Sequence, residues 1–129
     1  MKLFFDRRQA AHAPEKELHN GRWAPYAESP QRAFSIVDGL SGWSPVEDHG
    51  IEPILAVHDA DYVDFLRRAH ADWLGAGREG DAIGYTFPVV GRRKLPLDRI
   101  DARLGAYSFD AGTPIAAGTW NAAYWSAQC

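Results

Sequence analysis

The 129-residue chain has a single cysteine, and it is the last residue, Cys129. No intramolecular disulfide can form, and a cysteine-built zinc site is excluded. Such sparing use of cysteine fits a reducing compartment, so a cytoplasmic location is expected. No apolar run approaches the roughly 20 residues of a membrane-spanning helix. Met1–Asp6 passes at once into Arg7 and Arg8, too short a run for a secretory leader. Positive charge is not in excess: 14 Lys and Arg face 17 Asp and Glu, for a net charge of -3. A nucleic-acid footprint would need clustered basic residues, so no nucleic-acid partner is expected. The short run Arg92-Arg93-Lys94, set between Gly91 and Pro96, reads as a solvated loop.

Several catalytic signatures are also missing. Gly75-Ala76-Gly77 closes a helix instead of opening one, so it is no phosphate cradle. This counts against a nucleotide-binding half-domain. There is no Gly-x-Ser-x-Gly elbow. The histidines are His12, His19, His49, His58 and His70, and no pair brackets a Glu at i, i+4 as zinc proteases require. His58 reads as a strand-end residue bonded to backbone. No catalytic residue and no metal ligand is assigned from the residues themselves.

What is present is globular: 46% hydrophobic, 24% charged, with 5 Trp, 5 Tyr and 6 Phe. Aromatics in that number are built to pack. A chain of this length can bury roughly two-thirds of its unfolded surface. Lys2-Leu3-Phe4-Phe5 fits a buried strand. Residues 6–28 have no clean period and read as a long polar first loop. Ser29-Pro30 opens a helix with Ala33, Ile36, Val37 and Leu40 on its apolar stripe. Gly39 and Gly42 with Pro45 end it. Ile51 to Val57 reads as a second strand or buried connector. The next helix carries Tyr62, Phe65, Leu66, Ala69 and Trp73 on one face, with Asp59 and Asp61 suited to cap its start. Residues 78–112 read as irregular, with a short strand allowed by the alternation of Ile83, Tyr85, Phe87 and Val89. A last helix starts at Thr113-Pro114 or Gly118-Thr119. Trp120, Ala123, Tyr124 and Ala127 line one side, and Ala122, Trp125 and Ser126 the other. A helix apolar nearly all round wants cover on several sides, yet no stop signal precedes Cys129. The expectation is therefore a fragment, the front part of a larger α/β enzyme with a parallel sheet.

Acidic residues cluster in the two irregular regions: Glu15, Glu17 and Glu28 in the first, Asp98, Asp101 and Asp110 in the second. Singly each reads as a surface or capping carboxylate. Together they suit the rim of a cleft for a cationic ligand.

The block from Val57-His58 through Tyr62 to Phe65-Leu66 resembles a segment of the histone deacetylase superfamily. Phe109-Asp110-Ala111-Gly112-Thr113-Pro114-Ile115, with Gly118-Thr119-Trp120 and Ala122-Ala123, is similar to its acetylpolyamine amidohydrolase branch. So are Met1–Asp6, Glu17-Leu18, Gly21, Pro25 and Glu28-Ser29-Pro30 with Arg32. The resemblance runs through essentially the whole chain, in order. It implies the N-terminal part of an arginase/deacetylase-like three-layer α/β fold with a parallel sheet, incomplete here, as one segment over residues 1–129. It implies hydrolysis of acetyl-amides of polyamines or acetyl-lysine, with a zinc ion held by two Asp and one His in the complete enzyme. None of those ligands, nor the catalytic His pair and Tyr, has a matching position here. The chain itself is therefore expected to be inactive and to carry no cofactor. Asp101 and Glu17 match acidic substrate-loop positions. His19 and Tyr26 fall where the branch places channel aromatics. Partners implied are a small cationic acetylated substrate and a second copy through the first loop. A non-catalytic interaction or dimerisation module is the alternative.

Overall fold

A computed structural model describes residues 2–89, 91 and 98–129. The Arg92-Arg93-Lys94 run lies outside the described residues. Strand β1, Leu3–Phe4, pairs in parallel with a second short strand, Trp43–Ser44, with Leu3 opposite Trp43. Parallel partners need a crossover, and here it holds everything from Asp6 to Gly42. Phe5 carries the apolar run past β1 and sets its ring edge-on against Phe34 at 6.2 Å and Trp43 at 6.1 Å. The parallel pairing is as expected, but its second strand is not at Ile51–Val57.

Residues 6–28, expected as loop, are ordered instead. Asp6 accepts a hydrogen bond from Arg8 N at 2.8 Å and so caps a 3-10 turn, Arg7–Ala11. Strands β2 (Lys16–His19) and β3 (Arg22–Pro25) then form an antiparallel hairpin, which makes Trp43–Ser44 strand β4. Asn20 and Gly21 both have positive φ, 49° and 74°. That is the turn whose twist suits a two-residue hairpin, and Asn-Gly is the pair that adopts it most easily.

Helix α1 is Gln31–Asp38, and Ser29 Oγ accepts from Gln31 N at 3.3 Å. Its inward face is Ala33, Phe34 and Val37. Ile36 and Leu40, expected on the buried stripe, are 60% and 47% exposed. The register is set by Phe34 seeking Phe5. The run Ile51–Val57 contains the short helix α2, Glu52–Leu55. Pro53 in its first turn loses no needed donor there, and Glu52 meets the positive helix end.

Helix α3, Ala60–Gly75, buries Val63, Phe65 and Ala69. Tyr62, Leu66 and Trp73 pack beside them, as the periodicity predicts. Asp59 precedes it but makes no side-chain cap, and Asp61 accepts a hydrogen bond from Tyr107 Oη at 2.9 Å instead. The region 78–112 is not wholly irregular, because helix α4 spans Ile100–Tyr107. Ile100, Leu104 and Tyr107 recur at i, i+4 and i+7, and the phenol ring of Tyr107 stacks on Phe65 at 4.4 Å. Gly105 lets this helix approach the extended chain, since a Cβ there would fall 1.6 Å from Thr86 O. No strand forms over residues 83–89. A single antiparallel bridge joins Ala82 and Ile115, with two bonds of 2.9 Å. The core is Phe65, Ala69, Ala82, Ile100, Leu104 and Ile115.

Helix α5, Thr119–Gln128, starts at Gly118-Thr119. Gly118 rides on the 3-10 turn, where a Cβ would lie 2.1 Å from Ala11 O. The far end is pinned by Gln128, only 6% exposed. Its Oε1 accepts from His49 N at 2.7 Å and its Nε2 donates to Gly50 O at 3.1 Å. Burial on several sides is not what the helix shows: Ala122 is covered, but Ala123 and Ala127 are exposed. No described helix is long and apolar enough to cross a membrane.

Candidate functional site

A cleft of about 540 Å³ opens between the 3-10 turn, α3, the segment after α4 and the start of α5. Its floor is aromatic, with Tyr62, Phe65 and Tyr107. His12 and Thr119 stand on one wall and Asp110 on another. Asp110 Oδ1 accepts from Gly112 N at 2.8 Å, which holds the carboxylate in its own turn.

Three elements meet at His12. Its Nδ1 lies 2.8 Å from Thr119 Oγ1 and its Nε2 lies 3.1 Å from Tyr26 Oη. The two rings sit edge-on at 5.6 Å. Thr119 Oγ1 also accepts from Ala116 N at 2.8 Å. Burial lowers the His12 pKa below its ordinary value, partly offset by the charge of Asp81. A buried imidazole disfavours its cation. Burial also raises the Tyr26 phenol, helped by the negative charges of Glu28, Glu17 and Asp110. The phenol therefore keeps its proton.

The expected site residues divide. Glu17 and Tyr26 come together: Glu17 Oε2 accepts from Ala27 N at 3.4 Å, next to Tyr26. His19 ends β2 and is exposed beside the hairpin turn. Asp101 is not on a loop but in the first turn of α4. Its Oδ2 is bonded by Arg78 at 2.9 Å and Arg99 at 3.3 Å. Asp101 Oδ1 and Arg78 Nε are buried without a hydrogen-bond partner. His12 and Thr119 were not legible as site residues, because they stand 107 positions apart and nothing in the sequence joins them. Glu17, Glu28 and Asp110 each help to raise the Tyr26 phenol, and of these three Asp110 lines the cleft. Among the described residues no three His, Cys, Asp or Glu side chains are placed to hold a metal ion. The zinc implied by the resemblance therefore does not fit onto them.

No family model matches the chain. Curated relatives do. Acetylpolyamine amidohydrolase 2 of Pseudomonas aeruginosa is 43% identical over 116 residues, covering 86% of this chain and 34% of that protein. Acetylpolyamine amidohydrolase 1 of the same organism is 41% identical over 124 residues, 91% of this chain and 36% of the relative. The acetylpolyamine amidohydrolase of Mycoplana ramosa is 37% identical, covering 95% and 38%. The crystal structure of the acetylpolyamine aminohydrolase from Burkholderia pseudomallei superposes with a TM-score of 0.84 at 31% identity, over 99% of this chain and 38% of that one. The chain thus spans about a third of the length of the relatives it matches, and shares their α/β fold over that span.

Proposed function

Because the chain is related in sequence and fold to the acetylpolyamine amidohydrolases, we propose that it supplies one part of a deacetylase acting on acetylated polyamines or acetyl-lysine. The observation that carries this reading is the match over nearly the whole chain, with the cleft inside it. Glu17, Glu28 and Asp110 provide negative charge for a cationic amine, which a lined cleft focuses. Tyr26 offers a neutral hydroxyl and His19 stands at the hairpin rim. Asp101, engaged by Arg78 and Arg99, serves to hold α4 in place beside that cleft. A zinc ion bound elsewhere in the complete enzyme would supply Lewis-acid polarisation of the amide carbonyl. Its ligands are not among the residues described here. The 129-residue chain alone is accordingly inactive, and its lone cysteine suits the cytoplasm.

A chimera tests this. The matched segment of the Pseudomonas aeruginosa acetylpolyamine amidohydrolase 2 is replaced by this chain. The expected result is hydrolysis of an acetylated polyamine by the chimera and none by the chain alone in added zinc. A folded but inactive chimera, or turnover by the chain alone, overturns the reading.

One observation favours a second reading, an interaction or dimerisation module. Trp23 on the hairpin is 64% exposed, and tryptophan is enriched where proteins meet. Trp23→Ala should then weaken self-association in analytical ultracentrifugation, and an unchanged sedimentation profile counts against it.

A further inference from the structure

Hydrogen-bond bookkeeping around His12 fixes more than its position. Thr119 Oγ1 accepts from Ala116 N, and the acceptor within reach of its own proton is His12 Nδ1, 2.8 Å away. A neutral imidazole that accepts at one nitrogen donates at the other. His12 Nε2–H then points at Tyr26 Oη, 3.1 Å away. Tyr26 receives this bond through its oxygen, and its own O–H is left over. We propose that His12 is a positioning residue. Its tautomer, set by Thr119 and the Ala116 amide, makes Tyr26 a preset donor to an oxygen acceptor on the ligand, of which an amide carbonyl is the fitting class. The donation runs one way, from Ala116 N–H through Thr119 and His12 to Tyr26. It joins α5, the segment after the 3-10 turn and the end of β3. The reversed order turns the Tyr26 proton inward, onto His12 Nε2.

This rests on the deacetylase reading for the ligand, but the tautomer itself does not. The test is nitrogen NMR of the full chain labelled in its histidines, recorded well above the imidazole titration, with His12→Asn to assign the signal. The expected result is an Nε2–H excess of about tenfold at His12, the ratio set by one hydrogen bond of ordinary net strength. Thr119→Ser keeps that excess and Thr119→Val reduces it, a change that a merely space-filling His12 does not produce. An Nδ1–H tautomer, or a ratio equal to that of exposed His19, overturns the proposal whether or not the variants fold. In the active chimera, Tyr26→Phe raises KM for the acetylated polyamine with kcat unchanged, and an unaltered KM removes the ligand role. Failure of the deacetylase reading appears as an inactive chimera and leaves the tautomer ratio untouched.

Discussion

At the scale of single residues, charge placement decides what pH does. His12 has a folded pKa below its unfolded one. The unfolded chain therefore binds the extra proton first as pH falls. The stability tied to neutral His12 is present above about pH 6.5 and is lost on acidification towards the folded value. His12→Gln should flatten that part of the curve of denaturation midpoint against pH, and an unchanged slope between pH 5 and 7 counts against it. Asp6 behaves likewise at lower pH. Its hydrogen bonds and ion pair with Arg8 hold its carboxyl at about 2 against an ordinary 3.8. Its contribution is complete above about pH 4 and disappears through pH 2. Asp101 was legible as a notable carboxylate, but its arginine partners were not, because Arg78 lies 23 positions away. Removing it strands a guanidinium that already has one unpaired buried nitrogen. Asp101→Ala should cost about 1 kcal/mol in urea denaturation, the Arg78 side chain being 39% exposed and so partly solvated. A neutral result would show the pair to be solvated.

Among the elements, the strongly periodic ones were readable and the short ones were not. The α3 face from Tyr62 to Trp73 carries about three turns of apolar spacing, enough to identify it without tertiary help. Strand β4 is two residues long and carries no pattern that could reveal it. Its pairing with β1 is tertiary, fixed by Phe5 against Trp43. The hairpin had its turn in plain view at Asn20-Gly21, yet Lys16, Glu17 and Arg22 give its strands the polarity of a loop. Helix α4 was hidden by Gly105, which looks like a breaker but is there for close approach. That assignment can be checked. Gly105→Ala puts a methyl into the Thr86 carbonyl and must push the helix and the extended segment apart, at a cost of about 1–3 kcal/mol or more. A thermal midpoint equal to that of the parent would contradict the packing. Of the candidate site, the acidic residues were proposed from residue type and Tyr26 from the family resemblance alone. The His12–Thr119 joint could not, because it exists only once the last helix lies on the first turn.

For the molecule as a whole, the apolar surface left uncovered is the main physical fact. Val57 is 78% exposed, and it lies with Tyr62, Leu66, Trp120, Ala123 and Ala127 along one groove of about 300 Å³ between α2, α3 and α5. Soluble monomers rarely leave contiguous apolar ground of this kind open. The isolated chain should therefore associate, with a weight-average mass that rises with concentration in sedimentation equilibrium. Val57→Glu should lower it. A concentration-independent mass of 14.3 kDa would contradict this.

The seat of α5 on the Arg7–Ala11 turn also has a meaning in time. Gly118 rests on Ala11, Thr119 on His12, and Gln9 donates to Cys129 Sγ at 3.0 Å. The partners of the opening residues are thus made long after them, His12 and Thr119 being 107 positions apart. At the roughly 5–20 residues per second of translation, the head of the chain waits about 5–20 s for its mate. During that interval the Arg7–Ala11 turn and His12 lack the helix that later lies across them, while Phe5 already has Phe34 and Trp43.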